Sequence, residues 1–315
     1  MRAAIVKEVG SAPVLGDFPD PVPSQGEEVI QVLAAPLSPI VKKLAAGEHY
    51  ASNARAGFVP GIDGVGINGV GERVYFLFPK PPYGSMAEKA LVASTSMVPV
   101  PEGVSSELAA AVVTAGLSSW IALNLRAGFQ PGETVLINGA TGSAGGLAVQ
   151  IAVSLGARKI FATGRNLAKL DALPAGVTKI ALDGSADDAL RSAFDRGVDV
   201  VLDYLWGEPA ARIIAAATSG RGSRAGEPRL RFVQLGSMAG DSIPLSAHAF
   251  RSSGLEILGS GIGSVSMTDL VQGARELLAA TPAGGFDTPV QRRPLASIHD
   301  AWLDQADNGR LVFCP

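Results

Sequence analysis

The chain has 315 residues, which is long enough for two domains and a substantial buried core. Hydrophobic residues make up 47% of it and charged residues 17%, a balance that is typical of a compact α/β enzyme and excludes a disordered or fibrous chain. The formal net charge of −3 excludes a strongly basic face, so we expect no nucleic-acid partner. Cys314 is the single cysteine, which excludes an internal disulfide and a multi-cysteine zinc site.

The beginning of the chain is a strand-like run, residues 2–6, without the charged-then-apolar layout of a signal peptide. We find no apolar stretch that approaches the length needed to cross a membrane. We therefore expect a soluble, cytoplasmic protein with no membrane partner.

The N-terminal third is predicted to form a β-rich, barrel-like domain. Turn clusters rich in proline and glycine, such as 19–26 and 61–66, separate its short β-like runs. These runs are 29–34, 73–78, 86–92 and 96–100. The pattern then becomes helical, because 105–107 resembles a helix start and apolar residues recur through Leu125.

A βαβ unit follows this helix. Residues 135–138 are predicted as a buried strand, 139–146 as a glycine turn, the next helix as running through Leu155, and a second strand as ending at Gly164. Later strands alternate with helical segments, which predicts a parallel, doubly wound sheet. These later strands are 179–182, 198–204, 230–236 and 255–258.

The glycine turn is predicted to bind the pyrophosphate of a dinucleotide. Gly142 lets the backbone come close to the phosphates, and Gly145 lets the helix pack tightly on the strand. The free N–H groups and positive dipole end of the helix then face the phosphates. Thr141, Ser143 and Ala144 complete the predicted contacts of the turn. The alternative is a glycine-rich turn that binds no ligand.

The end of the second strand favours NADP(H) over NAD(H). NAD-specific sites place an acidic residue there, about twenty residues past the glycines. This chain has Thr-Gly-Arg-Asn at 163–166, and its nearest acid, Asp171, lies further along the next helix. A guanidinium binds a 2′-phosphate through charge-assisted hydrogen bonds. The predicted contacts here are Gly164, Arg165, Asn166 and Lys169. The alternative is that Arg165 is only a solvated charge.

Residues after the later strands are predicted to lie near the nicotinamide, because ligands bind at the carboxyl ends of such strands. Tyr204 begins the segment that follows one buried strand. Gly236, Ser237 and Ile262 follow two others, and the alternative is that the glycines around them are ordinary turn residues.

The ordered set of motifs resembles the medium-chain dehydrogenase/reductase superfamily, in its zinc-free quinone oxidoreductase-like branch. The motifs span essentially the whole chain: 60–66, 71–74, 84–88, 115–120, 132–142, 254–261 and 309–313. The resemblance implies a GroES-like β-rich domain at 1–118 and 265–315 and a Rossmann domain, a doubly wound parallel sheet, at 119–264. It also implies NADPH as coenzyme, a contact of Ser118 with it, and a homodimer. An active site in the cleft between two domains would follow.

The chain departs from the zinc-dependent relatives of this superfamily. Those relatives hold catalytic zinc with an early cysteine and a histidine, near which this chain has Ser38 and Asp63. It also lacks their cysteine-rich insert. We therefore predict no metal site, and hydride transfer that proceeds without a Lewis-acid metal.

Candidate catalytic residues come from 37–50. In relatives this segment often has Asn-Pro-x-Asp, where this chain has Ser38 and Val41. Tyr50 resembles the proton-donating tyrosine of enoyl reductase relatives, and the alternative is that it only lines the site. Lys42 and Lys43 would provide positive potential for the substrate or be solvated charges.

The predicted function is NADPH-dependent hydride transfer to a small-molecule quinone or α,β-unsaturated carbonyl compound. Conjugation spreads the charge that develops on the acceptor oxygen, so such acceptors need less stabilisation than plain ketones. Two alternatives remain open. The first is an NADPH-binding protein without turnover, which is crystallin-like or redox-sensing. The second is an NADPH-dependent carbonyl or alcohol dehydrogenase.

Overall fold

The computed structural model describes residues 1–53, 55–304 and 309–315. These residues form two compact units, which we describe separately. The first unit is Met1–Leu117 with Ser266–Pro315, and the second is Ser118–Val265.

The N-terminal part of the first unit is mostly β-structure. Its elements are β1 (Arg2–Ile5), β2 (Val14–Asp17), β3 (Glu27–Pro36), α1 (Pro39–Ala45), β4 (Asp63–Ile67), β5 (Arg73–Leu77), β6 (Lys89–Ala93), a 3₁₀ turn (Ser94–Ser96) and β7 (Met97–Pro99). The helix α2 (Ser106–Ile121) follows and crosses into the second unit at Ser118, where a π-helical segment, Ala122–Ala127, continues it. The predicted helix start is confirmed, because Ser105 Oγ accepts a hydrogen bond from Leu108 N at 3.1 Å.

The second unit is described without gaps and alternates strands with helices. Its elements are β8 (Thr134–Asn138), α3 (Ser143–Ser154), β9 (Lys159–Gly164), α4 (Leu167–Asp171), β10 (Val177–Ala181), α5 (Ala186–Asp195), β11 (Val200–Asp203), α6 (Gly207–Thr218), β12 (Arg229–Gln234), α7 (Ala247–Arg251) and β13 (Gly254–Gly259). The C-terminal elements return to the first unit: α8 (Met267–Gly284), β14 (Val290–Pro294), a 3₁₀ turn (Leu295–Ser297), α9 (Ile298–Leu303) and β15 (Arg310–Cys314).

The sheet of the second unit is parallel, in the order β10-β9-β8-β11-β12-β13. Every residue of β8 and β11 is buried, as expected for central strands that helices cover on both faces. The chain runs outward from β8 in one direction and from β11 in the other. The boundary between β8 and β11 is therefore the topological switch point of a Rossmann-type sheet.

The first unit has a separate, largely antiparallel sheet in the order β14-β15-β3-β4-β5-β7, with β6 also paired to β3. Its core contains apolar side chains from these strands and from α1 and α9. The predicted mixed α/β fold class, a β-rich sheet plus a doubly wound parallel sheet, is confirmed.

The prediction of a turn cluster at 61–66 is wrong for most of that segment, because β4 begins at Asp63. The glycines of β4 permit close packing rather than a turn. A Cβ on Gly64 would lie 2.8 Å from the ring of Phe76, and one on Gly66 would lie 2.3 Å from the carbonyl oxygen of Gln31. The spacing of the glycines alone therefore led to the prediction of a turn where the chain forms a strand.

The expectation that no apolar stretch approaches membrane-span length is also corrected. The helical segment Ser106–Ala127 has 22 residues and a mean hydropathy of 1.7, enough by length and composition to cross a membrane. These two properties are weak evidence for a span, and 67% of the most apolar window is buried inside the fold. A core helix of a globular protein has the same properties.

Candidate coenzyme site

The glycine turn joins β8 to α3 and lies against the end of β9. Gly139 has φ of +91°, the left-handed region that favours glycine, so the chain bends directly after β8. The N–H groups of Gly139 and Ala140 both donate to the carbonyl oxygen of Thr163, at 3.2 and 2.9 Å. These bonds fix the predicted turn beside the predicted strand end.

Two of the glycines at this edge are explained by packing inside the protein. A Cβ on Gly145 would lie 2.2 Å from the carbonyl oxygen of Gly139, so α3 could not begin so close to the turn. A Cβ on Gly164 would lie 2.5 Å from Cγ2 of Thr141. The structure therefore brings Thr141 and Gly164, two predicted contact residues, directly together.

Gly142 differs from these two glycines. Its φ of −85° and ψ of 163° are open to any residue, and a Cβ there would meet nothing nearer than the Gly139 carbonyl oxygen at 3.6 Å. The protein's own packing thus does not require a glycine at this position. Open space therefore lies beside the backbone of Gly142, and its use by a ligand stays a prediction.

The N-terminus of α3 has the features of an anion site. Gly142 is its N-cap, and no side chain caps the first turn. The helix has 12 residues and starts at Ser143, so the backbone N–H groups of Ser143, Ala144 and Gly145 lie in that uncapped first turn. A phosphate is the type of group that such N–H groups bind.

The residues after β9 have distinct roles. Arg165 is exposed, and we find no salt bridge to it among the described residues. Asn166 caps α4, because its Oδ1 accepts from the backbone N–H of Lys169 at 3.0 Å. Asn166 therefore has a structural role, whereas Arg165 presents its guanidinium to solvent. The assignment of Arg165, Asn166 and Lys169 to coenzyme binding stays a prediction.

A buried polar chain joins the ends of three neighbouring strands. Asn138, Thr163 and Asp203 are the last or second-to-last residues of β8, β9 and β11, and all three side chains are fully buried. Thr163 Oγ1 donates to Asn138 Oδ1 at 2.6 Å, and Asn138 Nδ2 donates to Asp203 Oδ1 at 2.7 Å. Asp203 also accepts from the backbone N–H groups of Leu205 and Trp206, at 3.1 and 3.2 Å.

Sequence reasoning missed this chain of hydrogen bonds. Burial raises the pKa of Asp203, and the bonds from Asn138, Leu205 and Trp206 oppose that rise. A signal was present in the sequence, since Thr163 and Asp203 are polar residues that follow apolar runs near a strand end, as Asn138 does. Fully buried polar residues in such strands need partners, and here they partner one another.

The predicted nicotinamide-side residues lie after β11, β12 and β13, at the carboxyl edge of the same sheet. Tyr204 Oη is hydrogen-bonded to Ser119 Oγ at 2.6 Å. Burial raises the pKa of the Tyr204 hydroxyl, and hydrogen bonds with Ser119 and Ser118 oppose the rise. A Cβ on Gly236 would lie 2.7 Å from the carbonyl oxygen of Tyr204. The structure thus brings together Ser118, Tyr204 and Gly236.

The two remaining residues of that group lie in the neighbouring loops. Ser237 directly follows Gly236, and its carbonyl oxygen accepts from Gly240 N at 3.4 Å. Ile262 comes after β13 and forms a parallel bridge with Val265. Their contact with a coenzyme stays a prediction.

The catalytic candidates belong to the first unit, around α1. Ser38 precedes the helix, is only 4% exposed, and its Oγ has no hydrogen-bond partner within the described residues. Tyr50 is 76% exposed, and its ring lies against His49 with centroids 4.1 Å apart. Partial burial of its hydroxyl raises the pKa of Tyr50. The catalytic role of both residues stays a prediction.

Lys42 is held by the C-terminal end of α9. Its Nζ donates to the carbonyl oxygen of Trp302 at 2.6 Å, and burial lowers its pKa. A lysine at this position stabilises the partial negative charge of a helix C-terminus. This structural role differs from both alternatives considered for Lys42.

Asp63, which lies near the place of a zinc ligand in the zinc-dependent relatives, is fully buried. Its Oδ2 accepts from Tyr75 Oη at 2.7 Å and from Thr114 Oγ1, whereas its Oδ1 has no partner in the described part of the chain. Burial raises the pKa of Asp63 to about 6. In residues 1–53, 55–304 and 309–315 no group of three His, Cys, Asp or Glu side chains is arranged to hold a metal ion.

The parallel sheet with its switch point, the glycine turn and the uncapped helix define a Rossmann-type nucleotide-binding protein. No protein-family model matches the chain. It is 30% identical over 363 aligned residues to the probable NADPH-dependent quinone reductase tdiC of Emericella nidulans, and the alignment covers 100% of both chains. It is 29% identical over 220 residues to the quinone oxidoreductase of Lama guanicoe, covering 65% of this chain and 66% of that protein.

A solved structure of a quinone oxidoreductase is also similar to this chain. The quinone oxidoreductase from Thermus thermophilus, whose crystal structures include its complex with NADPH, matches with a TM-score of 0.81 and 29% identity. The match covers 100% of both chains. The chain therefore belongs to the quinone oxidoreductases of the medium-chain dehydrogenase/reductase superfamily, as its motifs predicted.

Proposed function

We propose that this chain is a zinc-independent, NADPH-dependent oxidoreductase that transfers hydride to a quinone or an α,β-unsaturated carbonyl compound. The observation that carries this proposal is Gly142, whose lack of a side chain serves no purpose in the protein's own packing. It lies at an uncapped helix N-terminus on the carboxyl edge of a Rossmann-type sheet, where a pyrophosphate fits. The names of two relatives, a probable NADPH-dependent quinone reductase and a quinone oxidoreductase solved in complex with NADPH, support the same coenzyme and acceptor.

The residues of the second unit fit the three parts of NADPH. The backbone from Thr141 to Gly145 would hold the pyrophosphate. Arg165, with Lys169 one helical turn later, would bind the 2′-phosphate, because its exposed guanidinium is available for charge-assisted bonds. The residues at the ends of β11 to β13, together with Ser118, would line the nicotinamide half. When bound, NADPH supplies the hydride equivalent.

On the substrate side, the protein must stabilise the negative charge that develops on the acceptor oxygen. Ser38 and Tyr50 are the hydroxyl groups we propose for this role. A tyrosine hydroxyl is protonated at neutral pH, as a proton donor requires, and partial burial raises the pKa of Tyr50 further. Ser38 Oγ, which has no partner among the residues that the structure describes, could donate a hydrogen bond to the substrate.

Zinc independence and a homodimeric assembly complete the proposal. Ser38 and Asp63 lie near the places where zinc-dependent relatives have cysteine and histidine. Only Asp63 Oδ2 is engaged by hydrogen bonds, from Tyr75 and Thr114, and no second or third His, Cys, Asp or Glu side chain of the described residues is arranged with it to hold a metal ion. We expect full activity after exhaustive chelation, and sedimentation at twice the chain mass. Loss of activity on chelation with recovery on adding Zn²⁺ would refute zinc independence.

Coenzyme preference tests the proposal most directly. We expect the purified protein to oxidise NADPH in the presence of quinones and to bind NADPH more tightly than NADH. The Arg165→Ala variant should bind NADPH about ten- to a hundredfold more weakly, from losing a pair worth roughly 1.5–3 kcal/mol, while NADH binding stays the same. Arg224→Ala is the matched control, because Arg224 is an exposed arginine in the loop before β12, at the opposite edge of the sheet.

The outcomes separate the alternatives. Tight NADPH binding without oxidation by any quinone or enone would favour a binding protein without turnover. Reduction of simple ketones but not of quinones would favour a carbonyl or alcohol dehydrogenase. Equal losses for NADPH and NADH in Arg165→Ala would contradict the assignment of the guanidinium.

A further inference from the structure

Asp203 lies at the switch point of the sheet and is hydrogen-bonded to the last residue of β8 and to the loops that follow β11 and β12. Its side chain accepts from Asn138 on β8 and from Leu205 and Trp206 after β11. Its main-chain oxygen accepts from the N–H groups of Leu235 and Gly236, at 2.7 and 3.2 Å, after β12. Asp203 is thus hydrogen-bonded to the residue before the glycine turn and to residues in the loops after β11 and β12.

The bonds continue from Asn138 to the glycine turn. Asn138 receives a hydrogen bond from Thr163 Oγ1, and the carbonyl oxygen of Thr163 receives the N–H groups of Gly139 and Ala140. The carbonyl oxygen of Asn138 accepts from Tyr204 N at 3.2 Å. A change at Asp203 therefore reaches the pyrophosphate turn through two side chains and the nicotinamide side through its own neighbours.

The segment after Asp203 adopts a backbone conformation that needs such support. Trp206 has φ of +54° and ψ of −156°, which non-glycine residues rarely adopt. Its N–H points at both carboxylate oxygens of Asp203, at 3.2 Å each. This contact holds the strained segment in place immediately after Tyr204.

We infer that Asp203, acting through Asn138, is a positioning residue for the coenzyme: the buried Asp203–Asn138–Thr163 chain sets the relative placement of the glycine turn and of the Tyr204 and Gly236 loops. The inference rests on the proposed NADPH function. It concerns residues that do not themselves reach the carboxyl-edge surface, since all three are fully buried. Both oxygens of the Asp203 carboxylate act as acceptors, because Asn138 Nδ2, Leu205 N and Trp206 N converge on Oδ1 and Trp206 N also donates to Oδ2.

The test compares NADPH dissociation constants and melting temperatures. Asp203→Asn replaces Oδ2, which accepts from Trp206 N, by an NH2 donor and removes the charge that strengthens the bonds to Oδ1. We therefore expect NADPH binding to weaken about tenfold, which corresponds to roughly 1.4 kcal/mol. Asp199→Asn is the matched control. Asp199 lies directly before β11 at the opposite edge, and its Oδ2 accepts from Thr134 N at 2.8 Å across the same two strands. This control should lower the melting temperature without changing NADPH binding.

An exchange variant gives a readout that general destabilisation cannot produce. In Asn138→Asp combined with Asp203→Asn, one carboxylate and one carboxamide are again paired and the negative charge is restored. Thr163 Oγ1 and Trp206 N still face acceptors, and only the bond from Leu205 N is lost. We expect this double variant to recover most of the NADPH affinity lost in Asp203→Asn. Thr163→Val removes only the outer bond and should weaken NADPH binding by about threefold, and it decides the matter if Asp203→Asn does not fold.

The inference is overturned if the wild type binds NADPH and Asp203→Asn binds it equally well. It is also overturned if Asp199→Asn weakens binding as much as Asp203→Asn, or if neither the exchange variant nor Thr163→Val behaves as stated. A wild type that binds no NADPH at all refutes the proposed function instead, and the inference with it.

Discussion

Adding one methyl group at each of two neighbouring glycines separates ligand binding from packing. We compare Gly142→Ala with Gly145→Ala, which lie three residues apart at the start of α3. In Gly145→Ala the new Cβ would lie 2.2 Å from the Gly139 carbonyl oxygen, far inside contact distance. Overpacking of this kind costs about 1–3 kcal/mol, and at about 2–4 °C per kcal/mol the melting temperature should fall by several degrees.

In Gly142→Ala the new Cβ has its nearest neighbour at 3.6 Å, and the backbone angles suit alanine. Replacing glycine by alanine at an N-cap lowers the free energy of unfolding by up to about 1 kcal/mol. The lower entropy of the unfolded chain raises it by about 0.4–1 kcal/mol, so the two effects nearly cancel. The melting temperature should therefore stay within about 2 °C of the wild type. NADPH binding should nonetheless weaken by tenfold or more, because the methyl group occupies the space left for the pyrophosphate.

Differential scanning fluorimetry and calorimetric titration with NADPH would measure both quantities for both variants. Wild-type affinity in Gly142→Ala would refute our account, since the coenzyme would then not approach this backbone. A fall in melting temperature as large as that of Gly145→Ala would show that packing explains Gly142 after all.

Three further predictions follow from buried groups and from the substrate side. The pKa of Asp63 is raised to about 6 from an ordinary 3.8, so the folded protein binds the proton more tightly than the unfolded chain does. Relative to Asp63→Asn, the wild type should therefore lose about 3 kcal/mol of unfolding free energy between about pH 4 and pH 6, measured by urea titration. A difference between the two proteins that does not change with pH would contradict this. Tyr50→Phe should lower kcat for an enone by about a hundredfold with an unchanged KM for NADPH, whereas an unchanged kcat would remove Tyr50 as proton donor. Arg231→Met should lower the free energy of unfolding by about 3–5 kcal/mol, because it leaves the Glu133 carboxylate without its buried partner at 2.5 Å. Arg229→Met, which removes the exposed pair with Glu256, should lower it by at most about 1 kcal/mol. Equal losses for the two variants in chemical denaturation would refute the burial argument.

The dinucleotide-binding half of the fold could be predicted from the sequence because its signals are local. A buried run, a glycine turn, a helix and a second strand follow one another without interruption from Thr134 to Gly164, and each is recognisable from its own residues. The sequence also predicts coenzyme binding at Gly142, and the structure shows no packing reason for a glycine there. The structure shows that Gly145 and Gly164 both allow close packing. The sequence predicts this role for Gly145 but not for Gly164.

Non-local pairings explain the predictions that were wrong or missing. Gly64 and Gly66 were predicted to lie in a turn, although they are needed for close packing against Phe76 and Gln31. These two neighbours come close only through the pairing of β4 with β5 and β3, which the sequence around the glycines does not reveal. Glycine spacing has the same appearance in a turn and in a strand that another backbone approaches closely. Pairing across a sheet has to be known before the two can be told apart.

The buried polar chain shows the same limit in the candidate site. Asn138 and Asp203 are 65 residues apart and meet because β11 lies directly beside β8. Had β11 followed β10 at the outer end of the sheet, Asp203 would have faced different strands, and Asn138 would have needed another partner. Strand order follows from the right-handed crossovers of both halves of the sheet and from the reversal between them, which no single segment encodes. The same reversal creates the crevice in which a dinucleotide binds. The strand order, which cannot be read from either segment alone, therefore determines the partner of Asn138 and places this polar pair at the switch point, where we propose that the coenzyme binds.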